Sequence, residues 1–245
     1  MGKPVLYNEI DKHAAAWLRE LIRRGLIADG DVDERSITEL GASDLEGRTQ
    51  VHLFAGIGGW SLALRLAGWP DDRPVWTGSC PCQPYSSAGL QRRGRNDDRH
   101  LWPEEYRLVR ISLPPVVFGE QVPRAIRHGW LDGVACDLEE IGYSFGSGVL
   151  SASAANAPHR RDRIWFVADS EWNKQSRKEP RIGPDRRVGR VEQLLSWDAG
   201  WTTALSRFRA LDNGIPRCVE GTDAARNAIV PQVAAEFIRA YMEIA

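Results

Sequence analysis

Cys82 stands between two prolines in the run Gly78-Ser79-Cys80-Pro81-Cys82-Gln83-Pro84-Tyr85-Ser86, just past a short β-favouring stretch. A thiol placed there sits at the carboxyl edge of a parallel sheet, where α/β sites form, and its thiolate is a nucleophile. The plain alternative is a small buried thiol in a rigid turn. Glu120, in Phe118-Gly119-Glu120-Gln121-Val122, offers an acid just past a second strand. His159-Arg160-Arg161-Asp162-Arg163 offers paired cations entering a third. Singly these read as an exposed acid and a surface basic cluster. Together they supply a nucleophile, a proton donor and charge stabilisers at successive strand ends. Phe54-Ala55-Gly56-Ile57-Gly58-Gly59 adds a glycine-rich turn between a strand and a helix. Such a turn lets backbone approach a ligand, and the helix N-terminus behind it suits a polar or anionic group. Many α/β proteins carry one merely to pack.

The elements that must hold these groups alternate along the chain. Val5-Leu6-Tyr7 reads as a strand, and Ala14, Trp17, Leu18, Leu21 and Ile22 recur at helical spacing before Gly25 stops the helix. Residues 27–32 read as a turn or short strand, and Val51–Phe54 as a buried strand. A helix over Trp60–Ala67, a strand at Val75–Thr77 and a helix over Trp102–Ile111 follow. A strand at Val116–Phe118, a helix over Leu131–Ile141, a strand at Ile164–Val167 and a last helix over Val230–Met242 complete the series. Strand–helix alternation predicts an α/β fold with a mostly parallel sheet. Residues 86–99 read as a loop.

At 245 residues, with 42% hydrophobic and 27% charged, the chain is expected to be one domain, or one with a small appendage. No apolar run approaches the roughly 18–20 residues that span a bilayer, and the N-terminus lacks a signal-peptide layout. Four cysteines are too few for a disulfide scaffold, and the one-residue gap between Cys80 and Cys82 is too short for a common zinc pair. The expectation is a reduced cytosolic protein with at most one special thiol and neither metal nor membrane. Thirty-two Lys and Arg balance thirty-three Asp and Glu, so any nucleic-acid surface must be local. Residues 171–190 hold seven Lys and Arg against three acids without apolar periodicity. That run is a solvated loop or a phosphate-contacting surface.

Taken in order, these motifs resemble those of the DNA cytosine-5 methyltransferases. The glycine turn with its leading Phe matches that family's S-adenosylmethionine motif, and Pro81-Cys82-Gln83 matches its nucleophile loop. Glu120-Gln121-Val122 stands for Glu-Asn-Val, His159-Arg160-Arg161-Asp162-Arg163 for Gln-x-Arg-x-Arg, and Arg226-Asn227-Ala228-Ile229-Val230-Pro231 for the closing Asn motif. Gln121, His159 and Arg226 depart from the family pattern, and none of these removes the nucleophile or the acid. The added methylene of Gln121 weakens its expected hold on the nucleophile loop, and Arg226 crowds the cofactor.

The resemblance implies a three-layer, Rossmann-like S-adenosylmethionine-dependent methyltransferase with a small target-recognition insertion. Cys82 would attack carbon 6 of a cytosine flipped from double-stranded DNA. Glu120 would act as the neutral acid at N3, Arg163 would hold the O2 oxygen and Arg161 would support the loop; Cys80 reads as structural. Phe54, Ala55, Gly56, Gly58, Gly59, Pro81 and Asn227 would hold S-adenosyl-L-methionine. Gln83, Ser86, Arg92, Arg93 and Arg95 would close over the DNA, and Arg186, Arg187 and Arg190 would contact phosphates. The implied divisions are a catalytic domain over 1–169, a target-recognition region over 170–224 and a returning segment over 225–245. The compact size is similar to short phage-borne forms acting as monomers, with or without a partner nuclease in restriction-modification. Two rivals stay open: a tRNA cytosine-5 methyltransferase, and a DNA-binding relic with a lapsed site.

One piece is out of place. Gly59 and Pro81 are too close to fit the two strands that carry the family's ribose and adenine ligands. Tyr7-Asn8-Glu9-Ile10-Asp11-Lys12-His13-Ala14 is similar to the family's second motif, however, and Gly30-Asp31-Val32 to its third. This implies a circular permutation in which residues 1–48 carry strands two and three ahead of strand one. Glu9 would then accept from the ribose hydroxyls, Ile10 and Val32 would pack near adenine, and Asp31 would take its exocyclic amine. Val5–Tyr7 should lie parallel and adjacent to Val51–Phe54, with Glu9 and Gly56 facing one pocket.

Overall fold

A computed structural model describes residues 3–81, 101–155, 161–170 and 228–245. Their strands are β1 (Val5–Asn8), β2 (Gly30–Asp33), β3 (Gln50–Leu53), β4 (Val75–Gly78), β5 (Val116–Gln121), β6 (Ser144–Ser151) and β7 (Asp162–Asp169). Their helices are α1 (Lys12–Arg23), α2 (Ala42–Leu45), α3 (Gly59–Ala67), α4 (Trp102–Ser112), α5 (Trp130–Glu140) and α6 (Pro231–Met242). No helix among the described residues is long and apolar enough to cross a membrane.

The strands form one seven-stranded sheet in the order β2-β1-β3-β4-β5-β7-β6. Strands β1 to β5 pair in parallel, while β7 runs antiparallel to both β5 and β6. Val5 pairs with Gln50, Leu6 with Val51, Tyr7 with His52 and Asn8 with Leu53, so β1 lies beside β3 in parallel as its sequence implied. Strand β6 was not anticipated. Its glycines, Gly146 and Gly148, and its serines hide the period-two pattern, and pairing along all eight residues of β7 supplies the order its side chains do not.

Alternation along each strand splits the core into two faces. On β5, Val117 joins Leu108, Val109, Val134 and Leu138 beneath α4 and α5. Its neighbours Val116 and Phe118 join Trp60, Leu64, Phe237 and Ile238 beneath α3 and α6. Helix α1 covers the same side as α3, where Val5 and Tyr7 pack on Leu18 and Ile27 and the Tyr7 hydroxyl meets Ser61 Oγ at 2.9 Å. The result is three layers, helices over both faces of the sheet. Full burial of each large apolar side chain, such as Phe118 and Phe237, contributes roughly 1.5–3 kcal/mol.

Local signals fix the two helices that frame the cavity. Asp11 caps α1 by accepting from the backbone N–H of His13 (3.0 Å) and Ala14 (2.8 Å). Helix α3 starts behind Gly58, whose φ of 81° few other residues adopt. At Gly59 a Cβ would sit 2.6 Å from Ile229 Cγ1, so the segment leading into α6 lies directly on this helix start.

Candidate active site

A cavity of about 470 Å³ opens at the carboxyl ends of β1, β3, β4 and β5. Its first wall is the glycine turn. Phe54 has a left-handed backbone, φ 52°, unusual for a residue with a side chain and typical of functional sites. Beside it a Cβ at Gly56 would meet no atom within 4 Å, so that part of the turn faces open space.

The N-terminal unit forms the second wall and is stitched to the first. Glu9 Oε2 accepts from Gly56 N at 2.7 Å, Glu9 Oε1 accepts from Asp11 N at 2.8 Å, and Ala55 N donates to Asn8 O at 3.0 Å. The cavity thus gathers Glu9, Phe54, Ala55, Gly56, Gly59 and Pro81 of the expected cofactor set. Gly58 is buried beneath the turn against Ile27 and Leu18. Ile10, next to Glu9, is 66% exposed.

Asp31 and Val32 are not among the residues that line the cavity. Asp31 Oδ2 is bound by Arg48 Nη1 (2.6 Å) and by the backbone N–H of Lys3 (2.9 Å), and Val32 packs on the α1 cluster. The register explains this: Asp31 pairs with Leu6 in mid-strand, while Asp33 pairs with Asn8 at the carboxyl end. Asp33 O also accepts from Glu9 N at 2.9 Å. The strand-end acid is therefore the second of the Asp-Val-Asp run, with its carboxylate held by Arg35.

The third wall carries the acid and the arginines. Burial pushes the Glu120 carboxyl up to about 7, against the opposing charges of Arg163 and Arg161. Arg163 Nε lies 2.7 Å from Glu120 Oε1. A side chain so poised exchanges a proton near neutrality. Arg161 lines the same cavity and donates through Nη2 to the backbone oxygen of Ala228 at 3.0 Å. It thereby anchors the residue that follows Asn227.

The turn toward Cys82 closes the ring. Cys80 is buried, and Gln121 Nε2 donates to Cys80 O at 3.2 Å while Val122 N donates to Gln121 Oε1 at 2.9 Å. Gln121 therefore reaches the turn despite its extra methylene. Trp60, Ser79 and Ile229 also line the cavity and were not singled out from sequence; Trp60 directly follows the glycine turn, where the next helix position is an available signal. Cys82, Asn227, Gln83, Ser86, Arg92, Arg93, Arg95, Arg186, Arg187 and Arg190 lie outside the described residues, as do His159 and Arg226. Among the described residues no cluster of His, Cys, Asp and Glu is placed to hold a metal ion.

These features define a three-layer, Rossmann-like α/β protein with a cofactor-sized cavity at the sheet's carboxyl edge. The model of the C-5 cytosine-specific DNA methylase family matches residues 69–196, just over half of the sequence. The chain belongs to that family. Among curated relatives, the type II methyltransferase M.HhaI of Haemophilus parahaemolyticus is 28% identical over 167 residues, covering 53% of this chain and 51% of that protein. M.MspI of Moraxella sp is 34% identical over 92 residues, covering 36% and 22% respectively. The chain spans about half the length of M.HhaI, or less for several other relatives. Among solved structures, the Dnmt2 methyltransferase of S. pombe aligns with a TM-score of 0.42 and 16% identity, covering 81% of this chain and 62% of that one.

Proposed function

We propose that this protein transfers a methyl group from S-adenosylmethionine to carbon 5 of a flipped cytosine in double-stranded DNA, through a covalent adduct with Cys82. The observation that carries the reading is the convergence of Glu120, its partner Arg163 and the turn leading to Cys82 on the cavity that the glycine turn opens. The donor set suits the cofactor: a carboxylate at Glu9, open space at Gly56, an aromatic ring at Phe54 and a helix start behind them. When bound, S-adenosylmethionine supplies the electrophilic methyl group that carbon 5 accepts.

The protein's own groups do the rest. Sγ of Cys82 bonds to carbon 6, the ring double-bond electrons shift toward carbon 5 and N3, and Glu120 delivers its proton to N3. Arg163 stabilises the negative charge at O2, in a site where burial strengthens the interaction. Transfer of the carbon-5 proton to solvent water then re-forms the ring double bond and expels the Cys82 thiolate, and N3 returns its proton to Glu120. Gln83, Ser86, Arg92, Arg93 and Arg95 close over the DNA, and Asn227 completes the cofactor pocket. Arg186, Arg187 and Arg190, within a recognition region over 170–224, neutralise phosphates.

We further read residues 1–48 as the family's second and third strands placed ahead of the first. Support comes from the sheet order, which becomes 3-2-1-4-5-7-6 when β3 is counted as the first strand, the order the family resemblance implies. An edge unit can be reconnected in this way without disturbing the centre. Labelled-methyl incorporation into DNA and into tRNA, followed by bisulfite sequencing of the DNA, tests the whole reading. Methylcytosine in DNA alone is expected; label confined to tRNA, or none, contradicts it.

A further inference from the structure

Trp60 touches three parts of the site at once. It is the second residue of α3, directly behind the glycine turn, and it lines the cavity. It stacks on Phe118 at 6.1 Å between centroids and 23° between planes. Phe118 lies two positions before Glu120 on β5, so the two side chains leave the same face of that strand. Trp165 meets the indole edge-on at 5.5 Å, which leaves the ring little freedom. From this wedged position Trp60 Nε1 donates to Ser79 Oγ at 3.0 Å.

Ser79 follows the last residue of β4 and precedes Cys80, so this bond grips the chain three residues before Cys82. On the next residue, Gln121 holds the Cys80 carbonyl from the acid-bearing strand. The turn is therefore pinned from two directions, by the helix behind the glycine turn and by the strand that carries Glu120. The indole N–H is part-buried where it meets Ser79, and a buried donor left without an acceptor is costly. The Ser79 hydroxyl is thus a fixed part of the cofactor wall rather than a freely rotating group.

We infer that Trp60 is a positioning residue: through its indole N–H and Ser79 Oγ it couples the cofactor wall to the start of the turn that leads to Cys82. The inference rests on the proposed methyl-transfer function. Trp60→Phe keeps an aromatic wall and removes the N–H, and Ser79→Ala removes the acceptor.

The test is a double-mutant cycle on the full chain, with steady-state methyl transfer to DNA and calorimetric titration of S-adenosylmethionine. Each single variant is expected to lower kcat about tenfold while cofactor affinity and the KM for DNA change less than about threefold. The double variant should be no worse than the worse single. Wild-type kcat in either single variant, or losses that multiply in the double, would overturn the coupling. Should Trp60→Phe not fold, Ser79→Ala alone carries the kcat test, and unchanged kcat in it overturns the inference. An inactive wild type would instead bring down the proposed function, and the coupling with it, whereas an active wild type with unaffected variants brings down the coupling alone.

Discussion

Glu9 Oε2 accepts a hydrogen bond from Gly56 N at 2.7 Å, joining residues 47 positions apart across the ends of β1 and β3. One carboxylate thereby braces the glycine turn while facing the cavity. Charge-assisted bonds of this kind are about twice as strong as neutral ones.

Glu9→Ala removes the brace on the glycine turn and, on the proposed reading, the acceptor for the cofactor's ribose hydroxyls. We predict a loss of S-adenosylmethionine affinity of at least about tenfold, roughly 1.4 kcal/mol, by calorimetric titration. Glu9→Gln should fall between the two. An unchanged affinity in Glu9→Ala would remove the N-terminal unit from the cofactor site and, with it, the main functional argument for permuted motifs.

The pH dependence follows from Glu120. Its carboxyl is raised by burial to about 7, and the proposed step needs it protonated. Activity per enzyme should therefore fall as pH rises through 7, seen as a descending limb in kcat/KM. Glu120→Gln, which cannot deliver a proton, should lose about a hundredfold or more in rate and lack that limb. A descending limb that survives in Glu120→Gln would assign it to another group.

Glu105 gives a prediction about stability rather than activity. It lies in the first turn of α4, fully buried, with its carboxyl packed on Gly78: a Cβ at that glycine would fall 1.9 Å from Oε1. Burial pushes this acid up to about 8 from a usual value of 4.5. Between those pH values the unfolded chain releases a proton that the folded chain keeps, so stability falls as pH rises from 4.5 to 8. Glu105→Gln should abolish this contribution. Its melting temperature should exceed that of the wild type at pH 8 and converge with it near pH 4; equal slopes against pH would contradict the buried-acid account.

Removing the charges of Arg186, Arg187 and Arg190 together should weaken DNA binding and flatten its salt dependence by about 0.9 per lost phosphate contact. An unchanged slope in a salt titration would return residues 171–190 to a solvated loop.

What the sequence made legible is what backbone chemistry writes locally. The glycine turn, the helical spacing from Ala14 to Ile22 and the β-favouring runs each act within a few residues, and they marked five strands, β2 as a turn or short strand, and five of the helices. Parallel pairing of β1 with β3 was readable because the runs around Glu9 and the glycine turn resemble motifs that neighbour one another in one family. Strand β6 was hidden because its order comes from β7 rather than from its own glycines and serines. The strand-end position of Asp33 was not legible because motif likeness does not specify register, and two residues along β2 decide which acid reaches the strand end. The Trp60–Ser79 bond and the reach of Gln121 to Cys80 depend on side-chain geometry between distant segments. Nothing in spacing along the chain encodes them.

Covalent attack by Cys82 is the central claim, and trapping tests it most directly. DNA carrying 5-fluorocytosine at the methylated site, mixed with the protein and S-adenosylmethionine, should yield an adduct that survives denaturing electrophoresis, because fluorine cannot leave as a proton does. The account predicts this adduct for the wild type and for Cys80→Ala, and none for Cys82→Ala folded to the same melting temperature. An adduct formed by Cys82→Ala, or methyl transfer retained in it, would contradict the account.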